Sequence, residues 1–418
     1  MKKGFTLVEL LAVIVILAVI LVIVAPIIGD TLDSSNEKVF KLNTEQAIKI
    51  AKTHYQNNFG SKLISTPVIY EIENNKMTQN DVDVDLSTSM GDMTGEIIIN
   101  SDGNAKVKLY NDEFCVTKSF KGTLAISELV NGRCNSLEDI FIAKVGTGGL
   151  IEDDYGDLRY QGSDPDNYVT FNDETAGWRI VGLFNVDGEQ RIKLVKKDSI
   201  GAFSWDSSDS SVNDGKGINE WSQADLNILL NNYYYNGAEN EICYNGLSNA
   251  NITCSFDGLT NDTKELIDSV EWNLGATEMS KSLSEVYYDE RGSNTCESYV
   301  EEGAVGCDTN GIIDNVHRSV KWHGLVGLIY SSDYAYASAD ASCKNALNGT
   351  CENNWMSSYG WTITPDFLFG VTALYAGKSR MISYTTRLSK EVHPSIYLIS
   401  DVKVTGSGTT SDPYVFTK

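Results

Sequence analysis

The 418-residue chain is short of the signatures by which many enzymes are read from sequence. It has no His-Glu-x-x-His pair, no Gly-x-Ser-x-Gly elbow and no glycine-rich phosphate loop ending in Lys-Ser or Lys-Thr. The usual sequence grounds for a zinc peptidase, a serine hydrolase or a P-loop enzyme are therefore missing. Its four histidines, His54, His317, His323 and His393, form no cluster, and no cysteines stand as Cys-x-x-Cys, so no metal site, cofactor or enzymatic activity is expected. Basic charge is scarce as well. Thirty-three Lys and Arg against 57 Asp and Glu leave a formal charge of -24, which repels phosphates, so no nucleic-acid partner is expected for the acidic ectodomain. Six prolines and a hydrophobic fraction of 42% exclude collagen and disorder, and the length favours two domains.

What the chain has instead is a long apolar run near its start. Met1-Lys2-Lys3-Gly4 precedes Phe5-Thr6-Leu7-Val8-Glu9, and every residue from Leu10 to Ile28 is apolar. At about 1.5 Å per residue, Phe5 to Ile28 reaches roughly 36 Å, enough for a hydrocarbon core of about 30 Å. Lys2 and Lys3 favour a cytoplasmic N-terminus, which puts everything after residue 30 outside. A cleaved secretory signal is the competing reading, but Ala25-Pro26-Ile27-Ile28 makes a poor cleavage site. Glu9 does not suit a simple anchor. A carboxylate near the start of a membrane helix costs on the order of 2–3 kcal/mol and calls for a partner.

Gly4, Phe5 and Glu9, with the apolar run behind them, resemble the class III leader of type IV pilins and pseudopilins. The resemblance implies cutting by prepilin peptidase between Gly4 and Phe5 and N-methylation of Phe5. It also implies that Glu9, then the fifth mature residue, pairs with the N-terminal amine of a neighbouring pilin subunit. Pro26 falls where pilins often carry a helix-disrupting proline.

Beyond the membrane, Phe40, Ala47, Ile48, Ala51, Tyr55 and Phe59 recur at helical intervals and Gly60 can close a stalk helix, while Ser34 and Glu37 have capping-box spacing that would break it near residue 34. Strand-like runs follow at Ser65–Glu73, Gly95–Asn100 and Ala105–Tyr110, the last two joined by a hairpin signal over 100–104. Val145–Asn167, rich in Gly and Asp, reads as a connection or an irregular entry into a second domain. All seven tryptophans lie beyond it. There, Trp178–Phe184, Arg191–Lys196, Gly324–Ile329 and Ser395–Ile399 are strand candidates, and Gln223–Asn231 and Asp262–Val270 look helical.

The expected fold class is α+β. Residues 1–4 form the leader peptide, 5–28 a transmembrane assembly helix, 29–135 a stalk helix on a small antiparallel sheet, and 136–418 a large loop-rich extracellular α+β domain. The cysteines fall in neighbouring couples, Cys115 with Cys134, Cys243 with Cys254, Cys296 with Cys307, and Cys343 with Cys351. Many pairings are open to eight cysteines, and four local disulfides need the fewest assumptions in an exported chain.

Trp178–Gly182, Trp361–Pro365 and His393–Leu398, in that order, resemble modules of Firmicutes surface proteins related to the C-type-lectin-like fold, with His393 where that family usually has Arg. The resemblance implies a Gram-positive host, but the Glu-Pro-Asn or Gln-Pro-Asp motif of true lectins is missing, so the fold carries no sugar-binding activity with it. Trp205, Trp221, Tyr233, Tyr234 and Tyr235 suit stacking on sugars or peptides, and burial is the stronger reading of each. Asp209, Ser211, Asn213 and Glu220 sit at positions 1, 3, 5 and 12 of an EF-hand-like loop, but Asp214 and Lys216 break the pattern and favour a solvated acidic loop.

The expectation is a type IV pilin-like subunit, held in the membrane before assembly and then in a cell-surface filament, minor or at the tip, displaying a domain for adhesion to a surface or glycan ligand. A pseudopilin of a secretion or DNA-uptake machine and a membrane-tethered extracellular enzyme are the alternatives. Mass spectrometry of the mature N-terminus should find Phe5 first. An intact Met1 in peptidase-competent cells, or a cut after residue 25, would remove the pilin reading.

Overall fold

A helix over residues 35–59 forms because its apolar side chains share one face: Phe40, Ala47, Ala51 and Tyr55 are buried, with Thr44 among them. The computed structural model describes residues 35–59, 67–73, 76–84, 91–100, 103–118, 120, 124–129, 134, 137–207, 217–246, 251–292, 312–313 and 316–418. These fall into two units divided between Asp139 and Ile140. The architecture is α+β and mostly sheet. Among the described residues no helix is long and apolar enough to cross a membrane, and the expected transmembrane segment 5–28 lies outside them.

In the first unit the helix packs on a seven-stranded antiparallel sheet. The strands are Val68–Glu73, Lys76–Gln79, Val82–Val84, Thr94–Ile99, Ala105–Tyr110, Phe114–Lys118 and Ala125–Glu128, and Val68–Glu73 pairs with both Lys76–Gln79 and Thr94–Ile99. Strict alternation puts Val68, Tyr70 and Ile72 on the buried face and Ile69, Glu71 and Glu73 on the other. Val107 and Leu109 continue that core, and Phe40 meets Phe114 with ring centroids 6.3 Å apart. The hairpin over 100–104 is present, Asn100 and Asn104 closing it through the Asn100 amide at 3.0 Å.

The second unit is organised on a ten-stranded sheet whose centre is the hairpin Glu174–Val186 with Glu189–Lys196. Asp187 and Gly188 turn it, both at positive φ (55° and 77°), the conformation that two-residue hairpin turns require. Ser395–Leu398 pairs antiparallel with Glu189–Lys196, and Tyr414–Thr417 runs parallel to Tyr168–Phe171. Five tryptophans, Trp178, Trp205, Trp221, Trp272 and Trp361, are essentially inaccessible.

Two sequence expectations need correcting here, and a third had two readings. Asp262–Val270 is one helical turn, Asn261–Lys264, capped by the Thr260 hydroxyl. Its remainder is drawn into strands, Ile267–Asp268 against Ser395–Leu398 and Val270–Asn273 against Lys321–Gly324. Gly324–Ile329 is split into Lys321–Gly324 and Val326–Gly327, because the first pairs with Val270–Asn273 and the second with Ser395–Leu398 in a different sheet, where the Asn231 amide also holds both backbone groups of Val326. Of the two readings of Val145–Asn167 the entry into the second domain is the one that holds, since Leu150–Glu152 and Leu158–Tyr160 pair with each other and the latter joins the large sheet.

Disulfides join Cys115 to Cys134, Cys243 to Cys254 and Cys343 to Cys351, while Cys296 and Cys307 lie outside the described residues. Each bridge closes a short loop and is worth about 2–4 kcal/mol. Non-reducing peptide mapping of the full-length protein should recover these three linked pairs and a fourth joining Cys296 to Cys307. A bridge between cysteines of different couples would break the scheme.

Candidate functional site

The large unit buries several charges in one place. Between the strands Leu150–Glu152 and Leu158–Tyr160 the chain turns through Asp153–Asp157, and the Asp153 carboxylate accepts the backbone N–H groups of Tyr155 and Asp157 at 2.9 and 3.0 Å. This is the local turn that Asp favours. The same carboxylate receives Arg159 Nε at 2.5 Å, and Arg159 Nη1 donates to Asp333 Oδ1 at 2.9 Å. Asp333 stands in the fully buried helix Ser331–Tyr336, where Oδ2 takes the Tyr330 N–H at 2.9 Å and Lys193 Nζ at 2.6 Å.

Lys193 and Asp333 have no exposed side-chain surface, and Arg159 has almost none. Aromatic rings wall the cations in. Lys193 Nζ lies 4.0, 5.0 and 5.4 Å from the Tyr330, Trp272 and Tyr397 rings, and the Arg159 guanidinium carbon lies 4.2 Å from Tyr336 and 4.6 Å from Phe184.

Burial and charge compete in setting the protonation of these groups. Desolvation brings Lys193 down to about 8 despite Asp333 beside it. Burial alone would raise Asp333, but Lys193 and Arg159 overcome it and hold the carboxyl below the ordinary range. Glu290 goes the other way. Fully enclosed, it is raised by desolvation, against the opposing pull of Arg291 and of its bonds from the Ser332 and Thr364 hydroxyls. Asp157, next to Arg159, is likewise raised by burial.

A cleft of about 300 Å³ opens beside this cluster, lined by Asp157, Phe184, Asp187, Asn273, Arg291 and Tyr397 among others. Tyr287 stands at its edge, stacked on Tyr155 at 3.9 Å on one face and under the Arg291 guanidinium at 3.5 Å on the other. Tyr288, 63% exposed, packs edge-on against both tyrosines. A polar cleft with a rigid aromatic rim can hold a hydrogen-bonding ligand.

The residues singled out from sequence are distributed differently. Gly4, Phe5 and Glu9 lie outside the described residues, as do Asp209, Ser211 and Asn213. Glu220 caps a helical turn, accepting from the Ser222 and Ser319 backbone N–H groups at 3.2 and 2.8 Å. Among the described residues no group of three or more His, Cys, Asp or Glu is placed to hold a metal ion. Trp205, Trp221 and Tyr234 are core, and Tyr233 and Tyr235 are half-buried. His393 is buried against Tyr359 at 4.4 Å, with Nδ1 3.0 Å from the Lys196 carbonyl oxygen, and desolvation lowers its pKa. Asp153, Asp157, Arg159, Lys193, Glu290 and Asp333 were not picked out from the sequence. No local pattern marks them, because their partners lie up to 174 residues away.

With the geometry in place, comparison with known proteins decides one question. The chain carries a prokaryotic N-terminal methylation motif. It matches residues 1–25, the segment that holds Gly4, Phe5 and Glu9. The motif supports a type IV pilin-like or pseudopilin protein that prepilin peptidase processes and that assembles with pilin subunits, and it fits a membrane-anchored precursor of a surface filament. Searches of curated proteins and of solved structures each found no match. The motif ends at residue 25 and so bears on neither the small sheet nor the large unit.

Removing one partner from a buried ionic cluster leaves the others unpaired, at a cost of about 3–5 kcal/mol. Arg159→Ala should therefore lower the stability of the large unit by about that much. Tryptophan fluorescence in a denaturant titration checks this, since all seven tryptophans lie after residue 167. An unchanged midpoint would mean that the cluster does not hold the unit together.

Proposed function

We propose that this protein is a minor or tip subunit of a type IV pilin-like surface filament and that its large second unit is an adhesive domain. The observation that carries the reading is the joining of an N-terminal methylation motif to a second unit, Ile140–Lys418, larger than the whole segment before it. A shaft subunit repeats at close axial spacing, where a lobe of this size would crowd its neighbours, whereas a minor or tip position leaves it room. The role is one of binding rather than catalysis. The cleft edged by Tyr287, which stacks on Tyr155 and meets Tyr288 edge-on, suits a surface or glycan ligand, since rigid aromatic faces bind at low entropic cost.

The first unit is consistent with assembly. On its helix Val39 and Leu42 are more than half exposed, so apolar surface faces away from the sheet on an element that follows the expected anchor in sequence. For the large unit, relation to the C-type-lectin-like fold remains part of the proposal. Its three motifs lie in or beside the strands Glu174–Val186, Gly360–Pro365 and Ser395–Leu398. The pseudopilin alternative shares the same leader and differs in the machine it serves.

Glu9 gives the experiment. Opposite a neighbour's N-terminal amine its carboxylate makes a charge-assisted contact worth about 1.5–3 kcal/mol, whereas in a monomer it has no such partner. Glu9→Gln should leave synthesis and membrane insertion intact and lower recovery in sheared filaments by about tenfold or more. Equal recovery of mutant and wild-type subunit at matched membrane levels would overturn the assembly reading.

A further inference from the structure

Lys193 and Asp333 stand 140 residues apart in sequence, on the strand Glu189–Lys196 and the helix Ser331–Tyr336, yet Nζ and Oδ2 are 2.6 Å apart with no exposed surface on either side chain. Around the ammonium are the rings of Tyr330, Trp272 and Tyr397. The second carboxylate oxygen, Oδ1, faces Arg159 Nη1 at 2.9 Å. Glu290, fully enclosed, binds the backbone N–H of Ser332, the residue before Asp333, at 3.1 Å, and it interacts electrostatically with both Lys193 and Asp333.

Three physical conditions for a condensation meet there. In water an ammonium and a carboxylate stay ionic because both ions are hydrated and water is abundant. Inside this box both hydration shells are gone, and each enclosed ion carries a penalty of several kcal/mol. Held in contact, the two groups react at an effective concentration of order 10⁵–10⁸ M. Burial has also already weakened the hold of Lys193 on its proton.

From this arrangement we infer that Lys193 and Asp333 become joined by an intramolecular amide bond, formed by the folded chain itself. The ammonium passes one proton across the hydrogen bond to Oδ2, giving an amine and a carboxylic acid. The Nζ lone pair attacks Cγ, and the carbonyl electron pair moves onto Oδ1, where the Arg159 guanidinium stabilises the negative charge as an oxyanion donor does. A second nitrogen proton then passes to Oδ2, in the field of the enclosed Glu290. The Cγ–Oδ2 bond then breaks, water leaves and the Oδ1 carbonyl re-forms. Ammonium plus carboxylate become amide plus one water, with no oxidation, reduction or outside reactant. The product is neutral, so the cost of enclosing this ion pair disappears. It ties the central strand to the buried helix covalently, a cross-link suited to a domain under load.

The wild-type protein provides the test, so nothing hangs on whether a variant folds. The mature full-length chain, purified in detergent with its disulfides reduced, should be one water lighter than the sequence from Phe5 with its N-methyl group requires. Proteolysis should give a branched peptide joining the segments that carry Lys193 and Asp333. In Lys193→Arg and in Asp333→Ala both the deficit and the branched peptide should vanish. A mass equal to that of the sequence, with linear peptides carrying Lys193 and Asp333 recovered in full, would overturn the inference. So would a water loss that maps to any other residue.

Discussion

As the chain folds, before the inferred amide closes, Arg159 and Lys193 carry like charges into the same dry interior, and the Asp333 carboxylate, with one oxygen on each, is what makes that arrangement tolerable. Enclosing an ion costs several kcal/mol unless a partner and further hydrogen bonds meet it, so the three groups can be buried only together. That requirement fixes geometry over a long stretch of chain. Arg159 brings in the short strand Leu158–Tyr160, Lys193 the centre of the main hairpin, and Asp333 the helix Ser331–Tyr336. Asp153 adds the turn just before Arg159. The tryptophan core forms around a charged nucleus rather than a purely apolar one.

A second ionic contact acts on the same sheet. Arg191, also enclosed, bonds Glu189 at 2.8 Å on its own strand and Asp268 at 2.7 Å on a strand two places across. Lys193 and Arg191 sit two residues apart on one strand, so their side chains point to the same face of the sheet. Alternation of that kind would ordinarily put a basic pair toward solvent. Here each charge has its carboxylate, and the strand Glu189–Lys196 is buried along almost its whole length.

How much of this could be seen in advance depends on how local the cause is. Ala105–Tyr110 and the hairpin before it were legible because alternation and a turn signal lie within a dozen residues. The stalk helix was legible for the same reason, its small and aromatic residues recurring on one face. Asp262–Val270 looked helical because its own spacing is helical, but partners 48 to 54 residues away pull Val270–Asn273 into a strand. Residues 145–167 looked like a connection because Gly and Asp usually mark turns. Asp153 does make a turn, but its carboxylate also holds the guanidinium of Arg159, and what buries that guanidinium, Asp333 and Tyr336, comes from far along the chain. Trp205 and Trp221, set in polar sequence, are core because the strands and turns around them close from distant segments. Gly4, Phe5 and Glu9, the proposed processing and assembly residues, were read from a short motif whose chemistry is itself local.

A methylation-motif N-terminus, a helix on a small sheet and a large domain built around buried charge make sense together if the large domain is carried out from the cell on a filament. Immunogold labelling of intact cells, with antibodies raised against residues 140–418, asks this most directly. The account predicts gold on filaments, concentrated at their ends and sparse along the shaft. Gold confined to the cell envelope of cells that bear filaments would contradict it.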